Sequence, residues 1–245
     1  MRLSTRVAYN TIVQIASKVI STVLGLIAVA IMTRYLGKSG FGEYTTIITF
    51  ISFFSIAIDW GLTLVTAQMI SRPGIDQNKI VSNLFSLRLA SAAIFLAMAP
   101  LVVFFFPYGP AIKLGVAIAA LAFLFSSLNQ IFIGIFQKNL RLDKVSLSEL
   151  SGRVILLMGV ILISRLSYGL IGIMVVTVIS SAVNCFLLYI FSGRFVRIAF
   201  DYDKAVWREI FKKSWPIALT IFFNLIYLKT DTLILSLVKT QSDVG

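Results

Sequence analysis

Three ionisable side chains stand inside long apolar stretches of this sequence: Lys18, Asp59 and Arg88. At 1.5 Å per residue of helix, Lys18 lies about 12 Å, Arg88 about 10 Å and Asp59 roughly 8 Å from the same membrane face. An ionisable group inside a membrane helix is costly unless it faces a polar cavity. We therefore expect Lys18 and Arg88 to attract an anionic group into a shared cavity, with Asp59 as their counter-ion. The alternative is that each cation reaches the membrane surface along its own flexible side chain.

A further carboxylate, Asp231, stands in the last apolar stretch, where Asn224 and Tyr227 precede it at steps of three and four residues. These steps place all three side chains on one face of a helix. A buried carboxylate at this position is suited to bind a coupling proton or a sodium ion. A purely structural ion pair is the alternative.

The composition is that of an integral membrane protein. Of the 245 residues, 58% are hydrophobic and only 13% are charged, and the mean hydropathy is +0.94. A chain with so little polar surface cannot cover a soluble globule. Most of its apolar stretches are long enough to span a bilayer as a helix, which predicts an all-α, polytopic membrane protein.

Charge and residue usage narrow the function classes. The formal net charge of +12 gathers in the short connections between apolar stretches, so we interpret it as a topological signal and expect no nucleic acid partner. The sequence has no histidine, and its one cysteine, Cys185, lies in an apolar stretch. Zinc sites, histidine-based catalysis and an internal disulfide are therefore not expected. We predict no metal, no cofactor and no enzymatic activity.

The apolar stretches predict seven transmembrane helices. Two of them, residues 10–35 and 44–70, form a hairpin around a glycine-rich turn at 37–43. Each carries a stripe of polar residues at helical spacing, so the hairpin is predicted to form one wall of a polar cavity. The other five predicted spans are 80–106, 111–136, 150–163, 170–191 and 216–238.

Residues 194–213 differ from the rest, because they alternate basic and aromatic or aliphatic side chains. This pattern is typical of a segment that lies in the membrane interface. We therefore divide the chain into a six-helix bundle at 1–193, a basic amphipathic connector at 194–213, and the first helix of a second bundle at 214–245. The excess of Lys and Arg in alternate connections places the N-terminus in the cytoplasm.

Several motifs carry a resemblance to a known family. They are Arg34-Tyr35-Leu36-Gly37, Gly40-Phe41-Gly42-Glu43-Tyr44, Asp59-Trp60-Gly61-Leu62, Lys213-Ser214-Trp215-Pro216-Ile217, and Tyr227-x-x-x-Asp231. In these motifs the chain resembles polysaccharide flippases of the Wzx type, which handle O-antigen and exopolysaccharide units. Those flippases belong to the multidrug/oligosaccharidyl-lipid/polysaccharide (MOP) exporter superfamily.

The resemblance implies two six-helix lobes that form a V around a central cavity. Such a flippase moves an undecaprenyl-diphosphate-linked oligosaccharide across the bacterial inner membrane by alternating access. On this basis Lys18 and Arg88 are expected to bind the diphosphate, and Asp59 or Asp231 to act as counter-ion or coupling group. The candidates for sugar contacts are Gln14, Asn129, Gln130, Asn224 and Tyr227. Other expected partners are membrane lipids and the polysaccharide polymerase or export machinery.

Three other functions fit the sequence less well. A multidrug or cation antiporter of the same superfamily is disfavoured by the cationic residues expected in the cavity. A membrane glycosyltransferase or polymerase should carry catalytic residues on long outer loops, and the loops here are short. A non-transporting scaffold would fit a chain that ends after one helix of a second lobe, but it needs no intramembrane charges.

Overall fold

The computed structural model describes residues 3–59, 61–72, 74 and 76–238. Over these residues the protein is all-helical, as the sequence predicts. The helices are α1 (Leu3–Asp59), α2 (Leu62–Ile70), α3 (Gln77–Val103), α4 (Pro110–Lys138), α5 (Leu142–Leu166), α6 (Gly169–Ser192) and α7 (Lys204–Val238).

Within the described residues, five helical segments are long and apolar enough to cross a membrane. They are Asn10–Ser55 of α1 and the whole of α3, α4, α5 and α6. Their outward faces carry many exposed large apolar side chains, as lipid-facing helices do. The protein is therefore a multi-pass membrane protein, as the composition predicts.

Helix α1 reverses its direction at Gly37, which has φ 66° and ψ −178°. A straight helix of its length would extend about 85 Å at 1.5 Å per residue. Instead Asn10 Nδ2 donates to the carbonyl of Leu140 at 2.6 Å, and Thr66 packs against Gly134, near the same end of α4. The predicted hairpin is therefore present, but the predicted turn at 37–43 is too long. One glycine in the left-handed region makes the reversal, because such a φ is costly for residues with a Cβ.

The second arm of this hairpin is interrupted where the sequence predicts one continuous span over 44–70. Helix α1 ends at Asp59, and α2 starts at Leu62 after Gly61, whose φ is 70°. A Cβ on Gly61 would lie 2.7 Å from Ile217 Cβ and 3.0 Å from the carbonyl oxygen of Ser214. The interruption therefore lies directly against α7, and only glycine allows both this backbone conformation and this approach.

The basic connections meet at one end of the bundle. Lys138 Nζ donates to Gln77 Oε1 at 3.2 Å, which joins the start of α3 to the end of α4. Arg72 Nη1 lies 2.6 Å from Glu209 Oε1 of α7. At the opposite end, the N–H of Gly169 donates to Tyr35 Oη at 2.8 Å.

An extended strap, residues 197–203, leads from α6 to α7 and lies along α3. Its alternate backbone N–H groups donate to side chains of α3: Arg197 to Asn78 (3.0 Å), Ala199 to Ser82 (3.1 Å), Asp201 to Ser86 (2.9 Å) and Asp203 to Asn83 (2.7 Å). Four residues of helix rise about 6 Å and two residues of extended chain rise about 6.6 Å, so the first three acceptors, at steps of four, match their donors. The strap is therefore held at regular intervals up to Asp201, after which the N–H of Asp203 returns to Asn83.

Helix α7 begins where the strap ends. Asp203 Oδ1 accepts hydrogen bonds from the N–H groups of Ala205 and Val206, which satisfies donors that have no partner inside the helix. Ile210 and Ser214 are fully buried against the bundle. The helix then continues through Pro216, so residues 204–213 of the predicted connector form its first turns.

Candidate substrate cavity

A cavity of about 520 Å³ lies between α1, α4, α5 and α6. It occupies the half of the bundle that is nearer to the basic connections. Its walls are formed by Lys18, Tyr44, Ser126, Asn129, Gln130, Ile133, Val145, Glu149, Gly152, Arg153, Leu156, Thr177, Ser180, Ser181, Asn184 and Leu188.

The polar walls come from two stripes at helical spacing. In α4 the stripe contains Ser126, Asn129 and Gln130, and in α6 it runs from Thr177 to Asn184. Steps of three and four residues keep a stripe on one face of a helix. Both stripes are visible in the sequence, and interhelical packing is the ordinary explanation for such stripes in membranes. The structure places them on the wall of a cavity.

A close approach between α5 and α6 positions the second stripe. Ser180 Oγ donates to the carbonyl of Gly152 at 2.8 Å. A Cβ on Gly152 would meet Asn184 Cβ at 3.3 Å. Glycine at this position therefore lets α6 present its polar residues beside those of α5.

The cavity carries a net positive charge, because Lys18 and Arg153 face one carboxylate, Glu149. Lys18 Nζ lies 3.4 Å from Glu149 Oε1, and the Lys18 side chain is 70% exposed. Arg153 lies one helical turn after Glu149, and its Nη1 is 3.6 Å from the position that a Cβ on Gly25 of α1 would take. Arg153 makes no ion pair within 4.0 Å among the described residues, so its guanidinium is available to an anion.

Two amide oxygens in the wall have no hydrogen-bond partner in the described part of the chain: Asn129 Oδ1 and Asn184 Oδ1. Asn129 is only 6% exposed. A buried acceptor without a partner costs about 1–3 kcal/mol. A hydroxyl-rich ligand would supply the missing donors.

Arg88 occupies a different environment from Lys18. It is 1% exposed, whereas Asp59 is 26% exposed. Arg88 Nη1 donates to Asp59 Oδ1 at 2.8 Å, and Nη2 contacts the same oxygen. Thr63 completes the cluster, since its hydroxyl donates to Asp59 at 2.6 Å and accepts from Arg88 Nη2 at 3.0 Å.

This geometry corrects the expectation that Lys18 and Arg88 share one cavity. Lys18 lines the cavity, but Arg88 and Asp59 are not among its lining residues. The predicted pairing of Asp59 with a neighbouring cation is observed, with Arg88 as the partner. The sequence gives the two cations similar estimated depths. A depth estimate, however, does not say towards which neighbouring helix a side chain points.

The other predicted site residues are distributed unevenly. Asn129 and Gln130 line the cavity, whereas Gln14 is exposed on α1 one turn before Lys18, outside the lining residues. Asn224 and Tyr227 are exposed on α7, also outside the cavity. The side chain of Asp231 lies outside the described residues.

Sequence reasoning missed Glu149 and Arg153 as site residues. It predicts a fifth span over 150–163, whereas α5 begins at Leu142. Glu149 was therefore counted with the polar connection, and Arg153 as a charge at the start of the span. The four-residue step from Val145 through Glu149 to Arg153 is the signal that could have placed them on one helical face.

The fold of the chain is similar to that of solved transporters of the MOP superfamily. The chain is similar to a MOP superfamily transporter from Pyrococcus furiosus Vc1 (DSM3638), described as having a binding pocket of reverse polarity, with a TM-score of 0.63 and 15% identity. It is also similar to a multidrug resistance MATE family transporter in an outward-facing conformation, with a TM-score of 0.55 and 15% identity. Each similarity covers 88% of this chain and 51% of the transporter. The chain thus spans about half the length of the solved transporters it matches.

The sequence identifies the family within this architecture. Residues 7–245 match the model of the polysaccharide biosynthesis protein family, and the chain belongs to that family. No curated relative matches the chain. The resemblance drawn from the sequence motifs is therefore confirmed at the level of the polysaccharide biosynthesis protein family and of the fold.

Proposed function

We propose that this chain supplies the first lobe of a flippase that moves a lipid-linked oligosaccharide across a membrane by alternating access. The observation that carries the proposal is the cavity of about 520 Å³, which combines polar side chains with a net positive charge inside an apolar bundle. Membership of the polysaccharide biosynthesis family supports the same class of cargo.

The cavity residues fit the two chemical parts of such a cargo. Arg153 and Lys18 would attract the diphosphate, because a guanidinium offers a planar fork to phosphate oxygens and an ammonium offers a compact charge. The unpartnered amide oxygens of Asn129 and Asn184 would accept hydrogen bonds from sugar hydroxyls. Glu149 would hold Lys18 in place when the cavity is empty.

Binding of an undecaprenyl-diphosphate-linked oligosaccharide to the full chain in lipid nanodiscs tests this proposal. A charge-assisted hydrogen bond contributes roughly 1.5–3 kcal/mol, so Arg153→Ala should weaken the Kd about 10- to 100-fold. A neutral hydrogen bond contributes less, so Asn129→Ala should weaken it about 2- to 10-fold.

Lys113→Ala is the matched control, because Lys113 is a cation at the opposite end of the bundle, beside Phe104. It should leave the affinity unchanged. Affinity that is retained in both Arg153→Ala and Asn129→Ala would show that the cavity does not bind this cargo.

We further propose that the end with the basic connections faces the cytoplasm of a bacterial cell and that the protein lies in its inner membrane. The support is the convergence of Arg72, Lys79 and Lys138 at this end, since basic loops are retained on the cytoplasmic side. Labelling of single cysteines from either side of the membrane, in a Cys185→Ser background, tests this orientation. Cysteines at Ser39 and Ser71 should react from opposite sides.

A multidrug or cation exporter is the second candidate, because the cavity also contains a carboxylate, Glu149. In that case Lys18→Ala should free Glu149 and strengthen the binding of tetraphenylphosphonium. In the flippase, Lys18→Ala should weaken the binding of the lipid-linked diphosphate and leave tetraphenylphosphonium unbound.

A further inference from the structure

The first turns of α7 have an inner face that is fixed to the bundle. Asp203, at the end of the strap, pairs with Lys79 of α3 at 2.6 Å. Glu209 contacts Arg72 at 2.6 Å and Lys213 at 2.8 Å. Together with the buried Ile210, these contacts fix the rotation of the helix about its own axis.

The outer face of the same turns presents three exposed cations, Lys204, Arg208 and Lys212. Their steps of four residues place them in one row along the helix. They line a surface groove of about 700 Å³ together with Ala205 and Glu209. None of the three makes an ion pair with a described residue, since the carboxylate of Glu209 is taken by Arg72 and Lys213.

The predicted span at 216–238 would place this row at the level of the headgroup layer of a membrane. Helix α7 has 35 residues, and at 1.5 Å per residue it is about 52 Å long, whereas the hydrocarbon core is only about 30 Å thick. The span predicted from the sequence begins at Pro216, which leaves residues 204–215 of the helix outside the hydrocarbon. Next to the row, Phe211 is 44% and Trp215 54% exposed, and exposed aromatic side chains mark the interface level.

We propose that Lys204, Arg208 and Lys212 form a binding site for the phosphate groups of anionic phospholipids. The row is basic, unpaired and held outward by the contacts of the inner face. A phosphodiester headgroup complements it in charge and in depth. The proposal is independent of the cargo in the cavity, because none of the three residues lines that cavity.

Phosphatidylglycerol and phosphatidylcholine, titrated separately onto the full chain in neutral detergent and followed by native mass spectrometry, test the site. The variant is Lys204→Gln/Arg208→Gln/Lys212→Gln. Each basic side chain near an anionic lipid surface strengthens binding about fivefold, so the variant should bind phosphatidylglycerol at least tenfold more weakly. Phosphatidylcholine should bind more weakly than phosphatidylglycerol in the wild type and equally well in both chains.

The matched control is Arg34→Gln/Lys38→Gln/Arg165→Gln, which removes the same charge from exposed residues at the opposite end. It should keep the wild-type affinity for phosphatidylglycerol. Equal losses in both triple variants, or no preference for phosphatidylglycerol in the wild type, would overturn the proposal. If the first triple variant fails to fold, Arg208→Gln alone decides the question, with a fivefold loss expected and no loss overturning the site.

Discussion

Two intramembrane cations of this protein, Lys18 and Arg88, have opposite surroundings. Lys18 is 70% exposed in a polar cavity and approaches Glu149 at 3.4 Å. Arg88 is 1% exposed and bound to Asp59 and Thr63. Glu149 holds Lys18 through one long contact, whereas Asp59 accepts two contacts from Arg88 and a further hydrogen bond from Thr63. An intramembrane charge is therefore open to a ligand only where the fold has not already satisfied it.

The largest effect should come from removing the carboxylate that satisfies Arg88. Asp59→Ala leaves a buried guanidinium without a counter-ion, and breaking such a pair costs about 3–5 kcal/mol. Unfolding of the purified chain in detergent, followed by circular dichroism, measures the loss. The double variant Asp59→Ala/Arg88→Met should regain most of the stability, because no buried charge remains. A double variant as unstable as the single one would contradict the role assigned to this pair.

Substitution of Gly61, at the helix interruption beside Asp59, should also destabilise the fold. Gly61→Ala combines a left-handed backbone, costing about 1–2 kcal/mol, with overpacking against Ile217, costing about 1–3 kcal/mol. Gly74 also has a positive φ, 78°, but a Cβ there meets nothing within 4 Å. Gly74→Ala therefore serves as the control for backbone strain alone. Equal destabilisation of the two variants would mean that the contact with α7 is loose.

Lys18→Ala should have little effect on stability. An exposed ion pair contributes about 0–1 kcal/mol, so the free energy of unfolding should change by no more than about 1 kcal/mol. Binding of the lipid-linked diphosphate should fall about tenfold, because one charged contact is lost. A stability loss as large as that of Asp59→Ala would erase the distinction between the two cations.

The smallest effect should be a loss of stability at low pH, when the ion pair between Asp203 and Lys79 is broken. The Lys79 ammonium and two backbone N–H groups hold the pKa of Asp203 below its ordinary value of 3.8. The stabilisation by Asp203 is therefore fully present above that ordinary value and is lost as the pH falls through the lowered pKa of the folded state. Urea unfolding between about pH 6 and pH 3, a range that brackets the ordinary carboxyl pKa of about 4, should show a smaller loss of stability in Asp203→Asn than in the wild type.

Much of the fold follows from simple sequence patterns. Apolar stretches predict the spans, and the glycine-rich segment 37–43 predicts the reversal, because both depend on local composition. The interruption at Gly61 was not predicted, since Asp59 and Gly61 stand in an apolar stretch whose period is unbroken. That interruption depends on the approach of Ile217, more than 150 residues later in the chain.

The site was predicted only in part for a different reason. Asn129 and Gln130 belong to a visible polar stripe, but the same residue types serve helix packing and cavity walls in membranes. Which function a stripe serves depends on the neighbouring helix. Arg153 faces the cavity because Gly25 of α1 leaves room for its guanidinium, and no local pattern around Arg153 contains that information.

The strap has a consequence for biogenesis. The strap donates hydrogen bonds to three side chains of α3 that are synthesised more than 110 residues earlier, namely Asn78, Ser82 and Ser86. Until residues 197–203 have left the ribosome, these acceptors cannot make the hydrogen bonds that they make in the folded chain. Docking of the strap on α3 is thus a late step of assembly, which can occur only after α3 to α6 have been synthesised.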